Sequence, residues 1–192
     1  MLGAALTVAA YLVGSISFGL LEASERGVDL RSIGSGNIGA TNVGRALGKG
    51  SERKVMLLDM LKGFVPVALA RWVFGLSWPW ITAVGIATVL GHVFPIWHGF
   101  RGGKGAATAG GVLLAALPPI GAVTLLTFVV MKKLSRRASV ASLSAASLAA
   151  ALTMAFDGRQ WPIQLAVGLW MIVAFRHSEN IVRLLRGEEP PG

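Results

Sequence analysis

The sequence predicts a single all-α domain over residues 1–192, a polytopic membrane helix bundle of about seven transmembrane helices. Its N-terminus is expected outside and its C-terminus on the cytoplasmic side. Three observations lead there. Of the residues, 54% are hydrophobic and 14% charged, where a soluble domain carries about a quarter charged. The apolar residues come in blocks of about 15 to 20, long enough for a hydrocarbon core roughly 30 Å thick. The basic residues gather in alternate loops, which orients the blocks.

In chain order, the spans are expected at about 2–21, 55–74, 79–97, 105–120, 121–134, 138–156 and 161–175. No Lys or Arg precedes Arg26, so the first block lacks the basic start of a signal peptide and reads as a retained span. Within the second span, Asp59 and Lys62 sit three apart. Intramembrane charges cost about 2.5–3.5 kcal/mol each at a helix centre, and pairing at this spacing relieves the cost. The fourth and fifth spans are short, and a re-entrant hairpin is the alternative to two crossings there. Pro118 and Pro119 between them require a tight turn, because proline has no N–H with which to continue a helix.

Seven crossings put all of the 18 Lys and Arg except Lys62, Arg71 and Arg159 in or beside one set of loops. Short loops with that bias are cytoplasmic. Trp72, Trp78, Trp80 and Trp161 fall near the opposite boundary, as an aromatic belt does. The net charge of +9 then points to an anionic membrane surface and an anionic substrate, and not to nucleic acid. The chain has no cysteine, which excludes disulfides, thiolate catalysis and Cys-based metal sites.

Three cytoplasmic segments carry the chemistry. The first, Gly34-Ser35-Gly36-Asn37-Ile38-Gly39-Ala40-Thr41-Asn42-Val43-Gly44-Arg45, combines glycines, small hydroxyls, amides and a cation. Such backbone can cradle an anion. It contains a G-x-G-x-x-G, but flanking membrane helices instead of a βαβ unit exclude the dinucleotide reading. The second runs from Gly91-His92 to Arg101-Gly102-Gly103-Lys104-Gly105. It fails the spacing of a P-loop, with His98 and Gly105 where that motif needs Gly and Ser or Thr. Flexible donors beside a lysine nevertheless suit phosphate. The third, from Arg176-His177 through Asn180 to Arg183 and Arg186, places His177, Asn180 and Arg183 on one helical face. Its bland reading is a basic tail lying on anionic lipid. Near the start of the sixth span, Ser142 is the serine singled out for substrate contact.

Together these segments resemble the bacterial membrane glycerol-3-phosphate acyltransferases of the PlsY type. GSGNIGATN, GHVFPIWHGFRGGKGAAT and RHSENIVRL occur in order, and the intervening spans fit the same plan. His98 and Arg101 depart from the resemblance, standing where more apolar residues are expected. The resemblance implies transfer of a fatty acyl group from acyl phosphate to the 1-hydroxyl of glycerol 3-phosphate, with inorganic phosphate released, at the cytoplasmic face of the bacterial inner membrane. It implies no cofactor and no metal, with membrane lipids as surroundings. The site residues it implies are Ser35, His177 and Asn180 for catalysis. For substrate binding they are Asn37, Thr41, Asn42, Arg45, His92, Gly102, Gly103, Lys104 and Ser142.

The residues themselves agree with direct transfer. There is no cysteine and no evident Ser-His-Asp set, so attack by the acceptor hydroxyl needs no acyl-enzyme. Catalysis can rest on positioning and charge stabilisation. The general base stays open between a histidine and a phosphate oxygen of the donor. A transporter of small organic anions accounts for the basic face, but poorly for an outer face with almost no polar groups. A structural scaffold accounts for none of the Asn, His and Gly clusters.

Overall fold

The structure is a computed structural model that describes residues 1–191, and its regular elements are all helical. They are α1 (Leu2–Gly14), α2 (Phe18–Ser24), α3 (Ala40–Leu47), α4 (Lys49–Ala68), α5 (Trp78–Val93), α6 (Ala106–Ala116), α7 (Pro118–Ser135), α8 (Ala138–Phe156), α9 (Gln160–Arg176) and α10 (Ser178–Leu185). Three stretches, Leu2–Ser24, Trp78–His98 and Ala138–Phe156, are long and apolar enough to cross a membrane by length and composition.

The bundle closes through glycines. A Cβ on Gly14 of α1 would lie 2.1 Å from the Thr88 carbonyl oxygen, and one on Gly91 of α5 would lie 2.2 Å from that of Tyr11. The α4–α6 pair repeats the device: Gly63 meets the Thr108 carbonyl and Gly111 that of Met60, at 2.1 and 2.0 Å. Backbone-to-backbone approach of this kind is how helices gain contact where lipid removes the hydrophobic drive between them. Val67, Val84, Val89, Val112, Leu165, Leu169 and Val173 fill the space between these crossings.

Two expectations about helix boundaries change. The first span is not one helix: α1 ends at Gly14 and α2 starts at Phe18. Ser15 turns its hydroxyl back to the Tyr11 carbonyl, and Ser17 caps α2 through Leu20 N–H. The break frees the Ile16 carbonyl, which accepts from Lys62 Nζ at 2.7 Å. Lys62 also pairs with Asp59 at 2.8 Å. The interruption in one helix thus solvates a charge buried in another. The block at 105–120 is shorter than expected, because α6 has 11 residues. At 1.5 Å per residue it rises about 16 Å, roughly half a hydrocarbon core. The turn at Pro118-Pro119 is as expected, with α7 starting at Pro118. The carbonyls left at the end of α6 are covered by the Arg71 guanidinium, which donates to Ala115 and Ala116.

Arg71 marks one end of the bundle. Its guanidinium and that of Arg159 both lie over the Trp78 ring, at 5.4 and 4.9 Å from the centroid, and Arg159 is paired with Asp157. The opposite end carries the glycine-rich segments. Leu30 and Val43, both fully buried, pack with Ala23 and Val55 and hold the segment between α2 and α4 on the bundle.

Candidate active site

A cavity of about 1100 Å³ opens among the ends of α3, α6, α8, α9 and α10. Its apolar walls include Met56 and Met60 of α4, Leu113 of α6, Leu125 and Phe128 of α7, and Leu169 and Trp170 of α9. Its polar end is lined by Ser35, Asn37, Thr41, Arg45, Lys104, Ser142, His177 and Asn180. These come from three distant segments and α8, brought together as the sequence suggests.

The first segment is built by Asn42. Its side chain is 1% exposed. Its Oδ1 accepts from Ser35 N–H at 3.1 Å, and its Nδ2 donates to the carbonyls of Leu30 and Ile33 at 3.0 and 2.9 Å. All of its hydrogen-bonding groups are engaged, so Asn42 shapes the loop and has no donor left for a ligand. Gly34 and Gly36 take φ of +57° and +66°, a conformation that costs other residues free energy. The loop ends at Gly39, from which α3 starts with Ala40 and Thr41 of its first turn lining the cavity. Ser35 Oγ, the Asn37 amide and Thr41 Oγ1 have no protein partner among the described residues. Arg45 donates to the Pro191 carbonyl at 3.0 Å.

The second segment differs from the expected phosphate loop. Gly102 N–H and Gly103 N–H donate to the Val93 and His92 carbonyls, each at 3.1 Å. Their own carbonyls accept from Arg176 at 3.3 and 3.2 Å. Neither N–H is free for an anion. The glycines serve packing instead: a Cβ on Gly103 would meet His92 Nε2 at 2.2 Å, and one on Gly102 the His92 carbonyl at 2.1 Å. Arg176, which opens the third segment but was given no role from the sequence, straps this loop to α9 and so fixes the base of Lys104. His92 lines the same cavity, on the side of Asp59. Its ring lies against Gly103, and its Nδ1 is 3.7 Å from Asp59 Oδ1 without a hydrogen bond.

Lys104 Nζ donates to Asn180 Oδ1. Burial, and then the charge of Arg183, push its ammonium below the ordinary lysine range, while Glu189 and Glu179 oppose the shift. His177 is 3% exposed. Its Nδ1 is 2.8 Å from the Val173 carbonyl. A carbonyl only accepts, so Nδ1 carries the proton and Nε2 keeps a lone pair. Burial pushes this imidazole down to about 4, against the opposing hydrogen bond to Val173. It is neutral at physiological pH.

Sequence reasoning also missed Glu189. It lies beyond the helix, in what reads as a solvated tail, yet it is 7% exposed. Helix α10 ends in a Schellman turn, with Gly187 at φ +73° and Glu188 N–H bonded to the Arg183 carbonyl. That turn sends the chain back over α10. Glu189 then accepts from Ser139 Oγ, Asn180 Nδ2 and Arg183 Nε at 2.7, 2.6 and 2.7 Å. Burial alone would raise its pKa, but these hydrogen bonds together hold it below the usual carboxylate range. An acidic residue two places after a glycine, among several arginines, was the available signal.

Comparison with known proteins fits this geometry. The family described as Glycerol-3-phosphate acyltransferase matches residues 4–187. The chain is 46% identical over 191 residues to a glycerol-3-phosphate acyltransferase of Thioalkalivibrio sulfidiphilus, covering 99% of this chain and 94% of that protein. It is 45% identical over 188 residues to one from Aquifex aeolicus, covering 96% of each. The crystal structure of PlsY, an integral membrane glycerol 3-phosphate acyltransferase, in its glycerol 3-phosphate form superposes with a TM-score of 0.95 at 42% identity, over 100% of this chain and 96% of that one. The lysophosphatidic acid form gives 0.91 at 41% identity, over 100% and 95%. A membrane protein by its apolar helices and by its relatives, the chain belongs to the glycerol-3-phosphate acyltransferase family.

Proposed function

We propose that the protein transfers a fatty acyl group from acyl phosphate directly to the 1-hydroxyl of glycerol 3-phosphate, releasing 1-acylglycerol 3-phosphate and inorganic phosphate. The observation that carries this reading is that a cationic, donor-rich end and long apolar walls belong to one cavity. Both substrates then have a place: phosphate groups at Arg45, Lys104 and the first-turn amides of α3 beside Thr41, and the acyl chain along α4, α6, α7 and α9. The glycerol 3-phosphate form of the PlsY relative supports the acceptor.

In this mechanism the 1-hydroxyl oxygen attacks the acyl carbonyl carbon, and the carbon–oxygen bond to phosphate breaks. Ser35 Oγ and Asn37 Nδ2, both without protein partners, donate to the carbonyl oxygen as negative charge builds there. His177 Nε2 accepts the hydroxyl proton's hydrogen bond and orients it. An imidazole depressed to about 4 is a weak base, so the departing phosphate takes the proton and leaves as inorganic phosphate. Ser142 contacts the substrate from α8. Asn42, Gly102, Gly103 and His92 hold the two loops in place. The topology we propose has seven crossings, the N-terminus outside, and the site at the cytoplasmic face of the bacterial inner membrane.

The purified protein in detergent, given labelled glycerol 3-phosphate with acyl phosphate, acyl-CoA or acyl carrier protein in turn, should form product with acyl phosphate alone. Equal turnover of a thioester, or a kinetically competent acyl-enzyme trapped with acyl phosphate alone, would refute the mechanism.

A further inference from the structure

We propose that Glu189 is a positioning residue for glycerol 3-phosphate: returned onto the site by the turn at Gly187, its carboxylate sets which way round the Asn180 amide sits, and through it where the Lys104 ammonium points. The inference rests on the assignment of this cavity to glycerol 3-phosphate.

The argument is one of donors and acceptors. An asparagine amide has two ends of nearly equal shape and opposite polarity. A carboxylate only accepts, so Asn180 must turn Nδ2 to Glu189 Oε1, at 2.6 Å. That leaves Oδ1, an acceptor, facing Lys104, whose ammonium only donates and takes it. Without the carboxylate only the Lys104 contact favours this amide orientation, and Asn180 is no longer held from its other side; the flipped amide sets donor against donor at Lys104. Glu189 is itself fixed from other directions. Ser139 Oγ holds Oε1 at 2.7 Å, Arg183 Nε holds Oε2 at 2.7 Å, and Arg137 Nε holds the Glu189 carbonyl at 2.8 Å. Ser139, Asn180 and Glu189 are all buried, so water does not readily replace the bonds of Ser139 and Asn180 to the carboxylate. Arg183 matches the carboxylate charge, which leaves Lys104 and Arg45 to the phosphate. Glu189 touches neither substrate in this scheme; it acts through Asn180.

The rival reading makes the carboxylate a stand-in for substrate phosphate, displaced on binding. The two readings differ in sign. The full chain in detergent is titrated with glycerol 3-phosphate alone, by calorimetry, and assayed for KM and kcat, as wild type, Glu189→Ala, Glu189→Gln and Asn180→Ala, and as the doubles Glu189→Ala/Asn180→Ala and Glu189→Gln/Asn180→Ala. Glu189→Ala should weaken binding and raise KM about tenfold, with kcat less affected. In the Asn180→Ala background the same change should add less than about threefold, because the residue it acts through is gone. Should Glu189→Ala fail to fold, Glu189→Gln keeps the volume and still accepts at one atom. It should weaken binding roughly three- to tenfold, and again add nothing to Asn180→Ala. An undiminished effect in the Asn180→Ala background would reduce Glu189 to a merely structural role, and unchanged or tighter binding would overturn the proposal outright. A wild type that binds no glycerol 3-phosphate would instead remove the functional assignment, and this inference with it.

Discussion

The cavity has two networks of charge, one buried and one partly open, and they are balanced differently. At its floor Asp59 and Lys62 form a pair at 2.8 Å, with the Ile16 carbonyl on the lysine and His92 beside the acid. One negative charge meets one positive. At its polar end one buried carboxylate, Glu189, with Glu179 and Glu188 on the exposed rim, sits among Arg183, Lys104, Arg176 and Arg45. The charge of the floor is balanced without a ligand; the polar end holds an excess of positive charge that an anion would balance. Charge is thus paired off in one place and, in the proposed scheme, kept for a ligand in the other, and residue type alone does not distinguish them.

The largest expected effect tests the floor. Asp59→Asn or Lys62→Met leaves an uncompensated buried group, and each should cost about 3–5 kcal/mol of stability, read as a lower unfolding temperature in detergent. Replacing both residues by leucine should restore most of that loss, and the protein should still bind glycerol 3-phosphate. Loss of binding in a stably folded double variant would break the comparison.

Next comes the polar end. Lys104→Ala and Arg45→Ala should fold normally and lose roughly ten- to a hundred-fold in kcat/KM, as expected when a charged hydrogen bond to phosphate is removed. The bond from Arg45 to the Pro191 carbonyl is exposed and has an uncharged acceptor, so a phosphate would displace it.

A pH series sharpens the assignment of His177. Its pKa is about 4 in the folded protein against 6.5 unfolded. The unfolded chain therefore takes up the proton first as pH falls. The stability contributed by the neutral imidazole is present above pH 6.5 and is lost progressively down to about 4. Between pH 7 and 5 the wild type should lose about 2 kcal/mol more than His177→Gln, measured by denaturant titration at each pH. Equal losses would place the imidazole in contact with solvent.

Smallest are the effects at the outer cations. Arg136→Ala and Arg186→Ala, assigned to lipid headgroups, should stay within about threefold of wild-type activity. Behaviour like that of Lys104→Ala would mean that the whole basic face, and not the cavity, holds the anion. The proposed topology has its own check in single cysteines at exposed positions. Gly50→Cys and Glu188→Cys should label from the cytoplasm alone, and Gln160→Cys from outside alone.

Much of this was legible in the sequence because membrane helices and charge bias leave strong marks. The apolar blocks, the Pro118-Pro119 turn and the Asp59–Lys62 pair follow from composition and spacing. The convergence of Arg45, Lys104, His177 and Asn180 on one cavity followed from the three motifs read together. What was hidden depends on partners far along the chain. Asn42 looks like a ligand residue until Leu30 and Ile33 are seen to take its donors. Gly102 and Gly103 look like an anion cradle until His92 and Val93 claim their N–H groups. The break after Gly14 is silent because Ile16 is apolar and only its carbonyl matters. Glu189 sits in a tail whose local composition suggests solvent.

The brevity of α6 has a consequence for the donor substrate. Lys104 stands just before a helix of 11 residues, so in the proposed topology the anion site is sunk below the headgroups instead of standing above them. A fatty chain drawn upward into water loses about 0.8 kcal/mol for every methylene that leaves the hydrocarbon. In the proposed scheme the acyl carbonyl would meet the cations near the depth at which it already lies. Glycerol 3-phosphate makes the longer journey, and it has no alkyl chain to wet.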